Sequence, residues 1–276
     1  MKMLQIVLFS LVISISNTHT TWAQSDGTIA TTPSPTPSPA LSPAITTLPN
    51  VGMQLGSGFV VSEGYVLTAL HVIQGRSQIF VGPVANNRWV LAELIKTDPK
   101  LDIALLKAKV VMPALSFANS MEVPTGLEVF VLGYPQPRVQ GMSKKITQGI
   151  VNGNRSAPGQ TETHQFQISA EVAMGNSGGP VLAPDGLVIG MVQQKLNSQT
   201  IADRTKDFLV NVSYALKSEQ LLKFLEDSPI ALEVNSQVKR LSLSKVLRPY
   251  QIFEQSQGSV VSVIGRTANT DSSVKP

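Results

Sequence analysis

Between about residues 50 and 216 the apolar positions come in short runs separated by Gly, Pro, Asn and Asp. The runs read SGFVVS, GYVLTAL, SQIFVG, WVLAELIKT, DIALLK, LEVFVLGYP, KKITQGIV, HQFQIS, GLVIGMV and FLVNVSYAL. Runs of this length, broken by turn residues at this spacing, predict an all-β barrel or sandwich rather than alternating β/α units. Helical spacing is clear only in KSEQLLKFLED, residues 217–227, where Leu221, Leu222 and Leu225 share one side. A change of character around VMPALSFANSMEVPTG places the meeting of two β units near residues 112–126. From 228 to 276 there is one strand-like run, GSVVSVIG, and then a polar end, so this stretch is expected to be a tail or small appendage.

The N-terminal pattern is different. Lys2 precedes an apolar run from Leu4 to Ile15, followed by polar residues and Ala23. That is the three-part layout of a secretory signal, residues 1–23, with cleavage expected after Ala23. The apolar run is short for a bilayer, so a retained anchor is the weaker reading, and no stable membrane insertion is expected once the signal is removed. Residues 24–49 alternate Ser or Thr with Pro and carry little apolar mass, which predicts an extended linker.

Composition narrows the class. The chain is 42% hydrophobic and 14% charged, a lightly charged globular balance. A net charge of +4 is spread along the sequence, with Lys144-Lys145 and Lys239-Arg240 as the adjacent basic pairs. A nucleic-acid footprint needs clustering, so no nucleic-acid partner is expected. There is no cysteine, hence no disulfide. Export without disulfides fits a bacterial periplasm or exterior, which makes the sequons at Asn154 and Asn211 accidental.

Candidate chemistry centres on EVAMGNSGGPVL, residues 171–182, where Ser177 sits among Gly175, Gly178 and Gly179. Glycine is entropically costly to order, so three around one hydroxyl call for a reason. A nucleophilic serine needs a positioned base, usually a histidine oriented by a carboxylate. The histidines are His19, in the signal segment, His71 and His164. The glycines also satisfy the G-x-S-x-G pattern of α/β-hydrolases, but that fold places its histidine after the serine, and none follows Ser177. An Asp102–His164–Ser177 order needs an α/β scaffold, which the strand pattern disfavours. The His71–Asp102–Ser177 order is that of two-barrel serine peptidases. His71 lies where a strand, LTALHV, gives way to a turn; Asp102 opens the buried run DIALLK; Asp98, before a proline in KTDPK, reads as a turn residue. His164 has no motif around it and reads as structural or surface.

Four stretches in order, GSGFVVSEGYVLTALHV, DPKLDIALLK, ITQGIVNGNR and GNSGGPVLAPDGLVIGM, resemble the trypsin-fold peptidases of the HtrA-like group. The resemblance covers about residues 50–226, and YALKSEQLLKFL looks like the closing strand and helix of that domain. It implies two Greek-key β-barrels, about 50–118 and 119–216, a helix at 217–227, no metal or organic cofactor, and protein or peptide substrates. Carried over by position, Ser177 would attack the scissile carbonyl, His71 would relay its proton, and Asp102 would orient the imidazole. The amides of Gly175 and Ser177 would face the oxyanion.

The same resemblance suggests that Gly190, Met191 and Val192 pair with a substrate by strand addition. Glu171, six residues before Ser177, falls at the specificity-pocket floor of the trypsin-like fold, where it would favour Lys or Arg. HtrA-like members build this loop differently and prefer small or medium apolar residues. Their usual Asp and Pro are replaced here by Ser169 and Met174, and a solvent-facing Glu171 is the plainer alternative. Too few residues follow Glu226 for a PDZ domain. The expected function is an exported serine endopeptidase. The rival is a non-catalytic or latent peptide-binding module on the same fold; degenerate copies usually lose a triad member, and His71, Asp102 and Ser177 are all present, which favours the enzyme.

Overall fold

β-branched and aromatic residues fill the apolar runs, and in an extended chain their side chains alternate between two faces. In Ile103–Ala108, Ile103 and Leu105 join one buried cluster while Ala104 and Leu106 join another. Strands buried on both faces explain why so many runs are continuously apolar. The computed structural model describes residues 52–84, 88–119, 123–155, 164–195 and 213–267. The expected signal, the Pro-rich linker and the sequon at Asn211 lie outside the described residues.

The first barrel uses β1 (Met53–Ser62), β2 (Tyr65–Ala69), β3 (Gln78–Val84), β4 (Arg88–Asp98) and β5 (Ile103–Ala108). A one-turn helix, α1 (Leu70–Ile73), joins β2 to β3. After the short β6 (Ala118–Asn119), the second barrel follows with β7 (Glu128–Gly133), helix α2 (Pro137–Gln140), β8 (Lys145–Arg155) and β9 (Gln165–Ile168). It continues through β10 (Pro180–Leu182), β11 (Val188–Lys195) and β12 (Ser213–Lys217), closing in the order β10-β11-β12-β9-β8-β7. Its interior holds Val129, Val131, Val151, Phe166, Ile168, Val181, Ile189 and Val192. The architecture is the expected one: two six-stranded antiparallel barrels.

A third apolar layer joins the barrels. Phe59, Leu67, Ile103 and Leu105 from the first meet Phe130, Leu132, Leu182, Met191 and Leu216 from the second, with Phe117 of the connecting segment between them. The rings of Phe59 and Phe117 are 6.2 Å apart and tilted at 56°, a favourable aromatic geometry. Helix α3 (Ser218–Leu225) adds Leu221, Phe224 and Leu225 to this layer, within the span expected to be helical.

The stretch expected to be a tail is part of the fold. After α4 (Ala231–Ser236), β13 (Lys239–Arg240) and α5 (Pro249–Ser256), the chain enters β14 (Val260–Arg266). β14 is the sixth strand of the first barrel, whose order is β1-β14-β3-β4-β5-β2. It pairs antiparallel with β1, from Phe59↔Val260 to Met53↔Arg266, and with β3, from Ser262↔Gly82 to Arg266↔Gln78. Without it the facing edges of β1 and β3 would be left with unpaired backbone groups. Val261 and Val263 fill the barrel interior, and Val260 reaches the inter-barrel layer. The run GSVVSVIG announces a strand, but its partners lie about 200 residues upstream (Met53↔Arg266), and periodicity carries no information on pairing at that range.

A chain ending at Gly258 is expected to lose its cooperative thermal transition, followed by circular dichroism, and a peptide spanning residues 258–267 to restore it. A native-like transition in the shortened chain alone would contradict the structural role of β14.

Candidate active site

A four-residue helix has no stability of its own, so α1 needs external support, and Asp102 provides it. The Asp102 carbonyl accepts the Leu70 amide at 3.1 Å, and its Oδ1 accepts the His71 amide at 2.8 Å. Its Oδ2 lies 2.6 Å from His71 Nδ1. Asp102 adopts a left-handed backbone, φ 55°, which a short polar side chain tolerates better than most. Asp98 is the turn residue expected: its Oδ1 accepts the amides of Lys100 at 2.8 Å and Leu101 at 3.1 Å. The His71 side chain is 39% exposed and Asp102 29%. With Nδ1–H donated to the carboxylate, Nε2 carries the free lone pair.

Ser177 sits on the loop leading into β10. Within this loop the Asn176 amide donates to Ala173 O at 3.0 Å and the Gly179 amide to Asn176 O at 2.9 Å. Gly178 N–H donates to Val192 O at 2.7 Å, and Val192 N–H returns to Gly179 O at 2.9 Å, which ties the loop to β11. The other side faces the first barrel, where the Ser57 amide donates to Ser177 O at 2.8 Å. Gly178, at φ +83°, passes so close to the end of β2 that a Cβ would stand 2.6 Å from the Ala69 nitrogen. Thus the Ser177 loop is packed two residues from His71. The Ser177 hydroxyl itself makes no hydrogen bond among the described residues, to His71 or to any other group. Nucleophile–base bonds often form only with substrate in place.

Gly175 is buried at φ +102°, and a Cβ there would fall on the Tyr134 carbonyl. The amides of Gly175 and Ser177 find no acceptor among the described residues. An unaccepted donor on a buried residue calls for an explanation. Asn176 Oδ1, also buried, is likewise without a partner. Beside this loop, burial pushes the Tyr134 phenol up to about 12 and the Lys144 ammonium down to about 8. The Lys144 ammonium also lies 5.8 Å from the centre of the Tyr134 ring.

The other expected residues divide. His164 precedes β9, where its carbonyl accepts the Lys217 amide at 2.9 Å; Asp102 is engaged with His71 instead. Glu171 is exposed, and only its backbone is engaged, its carbonyl accepting Thr147 Oγ1 at 2.8 Å. The solvent-facing alternative fits this placement, and a carboxylate on a shielded pocket floor does not. Gly190, Met191 and Val192 need a correction. They are fully enclosed in β11, paired with Lys217, Leu216 and Ala215 on one side, and Gly190 and Met191 with Val181 and Pro180 on the other. Strand addition requires an unpaired edge, which these three do not offer.

The residue missed is Gln193, which occupies a bulge where the β11–β12 register shifts. It is buried, and its Nε2 donates to the carbonyl of Leu101, next to Asp102. The change from the apolar GLVIGMV to QQK was the only signal in the sequence. No group of three or more His, Cys, Asp or Glu that would hold a metal occurs among the described residues.

Residues 56–191 match the family model described as a trypsin-like peptidase domain. A probable periplasmic serine endoprotease, DegP-like, of Hahella chejuensis is 34% identical over 194 residues, covering 69% of this chain and 37% of that protein. A second protein so described, from Marinomonas, is 36% identical over 175 residues, 62% of this chain and 35% of its own. The chain therefore spans little more than a third of these relatives. Among solved structures, an HtrA-type protease, AlgW, with a decapeptide is similar at a TM-score of 0.52 and 28% identity, covering 62% of this chain and 50% of that one. The serine endoprotease from Yersinia pestis gives 0.50 and 28%, covering 63% and 57%.

Asp102→Asn is expected to invert the His71 tautomer, because an amide N–H facing Nδ1 drives the proton to Nε2. Nitrogen-15 spectra of labelled histidine would show Nε2–H in the variant and Nδ1–H in the native protein near neutral pH. The same tautomer in both would contradict the assignment.

Proposed function

We propose that this chain, which carries a trypsin-like peptidase domain similar to those of HtrA-type proteases, is a serine endopeptidase acting outside the bacterial cytoplasm. The observation that carries the reading is the His71–Asp102 pair, bonded through both side chain and backbone, with the Ser177 loop packed against the strand end beside it. Ser177 Oγ attacks the scissile carbonyl as His71 Nε2 takes its proton. The C–O bond forms, and the carbonyl oxygen becomes an oxyanion facing the unaccepted amides of Gly175 and Ser177. One such donor is typically worth about 3 kcal/mol in the transition state. Collapse breaks the C–N bond, with His71 giving the proton to the leaving amine. Water then hydrolyses the acyl-serine by the same proton relay.

Substrates are proteins or peptides held extended. The exposed Glu171 supports no strong demand for Lys or Arg before the cut. The periplasmic names of the relatives and the signal pattern at Lys2 to Ala23 support export.

The test is intact-mass analysis after a fluorophosphonate probe. Native protein should gain one adduct, and Ser177→Ala and His71→Ala none. No adduct, with or without added peptide, would favour the peptide-binding alternative.

A further inference from the structure

Ser57, in the middle of β1, is fully buried and joins four segments of chain. Its amide donates to Ser177 O at 2.8 Å, and its carbonyl accepts Thr68 Oγ1 at 2.7 Å. Its hydroxyl accepts the Tyr134 amide at 3.0 Å and donates to the Gly175 carbonyl at 2.6 Å. A serine hydroxyl has a single proton, so here that proton is committed to Gly175.

The consequence lies in the peptide planes around Gly175. In a trans peptide the C=O and the next N–H point in opposite directions. The Met174 carbonyl is held by the Gln136 amide at 2.6 Å, so the Gly175 N–H in the same plane is aimed away from Gln136. The following plane is held at both ends, its Gly175 carbonyl by the Ser57 hydroxyl and its Asn176 N–H by Ala173 O at 3.0 Å. Between the planes stands a glycine at φ +102°, with no Cβ to favour that rotation over others. Gln136 in the second barrel thus holds the plane that carries the Gly175 N–H, while Ser57 of the first barrel, with Ala173, holds the plane on its other side.

We propose that Ser57 is a positioning residue for catalysis: its hydroxyl clamps the Gly175 carbonyl and so keeps the Gly175 N–H directed at the developing oxyanion. This rests on the reading of Ser177 as nucleophile, and it assigns to the first barrel a part in shaping the oxyanion site beyond carrying His71 and Asp102.

Ser57→Ala removes the clamp and little volume. Ser57→Cys keeps the size with a weaker donor, and carries the same measurements should the alanine variant not fold. The maximal rate of fluorophosphonate labelling should fall roughly 10- to 100-fold in Ser57→Ala, short of the roughly 10²–10³-fold for outright loss of an oxyanion donor. The probe concentration at half-maximal rate should stay within about twofold, because the interaction serves the transition state and not ground-state binding. A crystal structure of Ser57→Ala should show the Gly175 carbonyl turned away from β1. Native-like labelling in a folded Ser57→Ala would overturn the proposal. If the native protein takes no label, the catalytic reading fails, and the crystal structure decides on Ser57 separately. An unmoved Gly175 peptide overturns the clamp, and a rotated one upholds it.

Discussion

The residues of the candidate site are divided between the two barrels, so its geometry depends on the register of one barrel against the other. His71 and Asp102 belong to the first barrel, and Ser177 with its glycines belongs to the second. The apolar layer of Phe59, Phe117, Phe130 and Leu132 supplies adhesion, but hydrophobic packing is non-directional and does not alone fix ångström-scale placement. Directional contacts fix it: the backbone bond from Ser57 to Ser177 O, flanked by the Ser57 hydroxyl bond to Gly175 O and the Tyr134 amide bond to Ser57, and the Gln193 side-chain amide bond to Leu101 O. They are reinforced by Gly178, which lets the loop lie against the end of β2 where a side chain would hold it off. Burial makes these bonds costly to break, since each partner would be left unsatisfied.

β1 in turn depends on the far end of the chain. Ser57 pairs with Ser262 of β14, and the Ser262 hydroxyl donates to Gly56 O at 3.1 Å. Thus the strand that holds the Ser177 loop is itself held by residues 260–266. The helix carrying His71 packs on the same strand: a Cβ on Gly265 would stand 2.7 Å from Val72 O. The first barrel, and with it half of the site, closes only when the C-terminal strand is in place.

What was legible in the sequence is what is local. Run length and turn residues gave the strands, and chain order with a short list of histidines singled out His71 and Asp102, which the structure joins. Asp98 read correctly as a turn residue because a carboxylate just before a proline is a local signal. Pairing was not legible: β14 looked like part of an appendage because nothing in GSVVSVIG names its partners, Met53 to Phe59. Assigning strand addition to Gly190–Val192 failed for the related reason that an apolar run does not reveal which of its residues are already paired on both sides. Ser57 was not legible either, since a serine between glycines gives no sign of the three segments its backbone and hydroxyl reach.

Whether Ser177 is an activated nucleophile served by amides of its own loop can be read from a crystal structure of the protein after fluorophosphonate treatment. The expected result is phosphorus bonded to Ser177 Oγ, with the phosphoryl oxygen accepting hydrogen bonds from the Gly175 and Ser177 amides and His71 Nε2 facing the adduct. An unmodified Ser177, or a probe attached elsewhere with those amides unengaged, would contradict it.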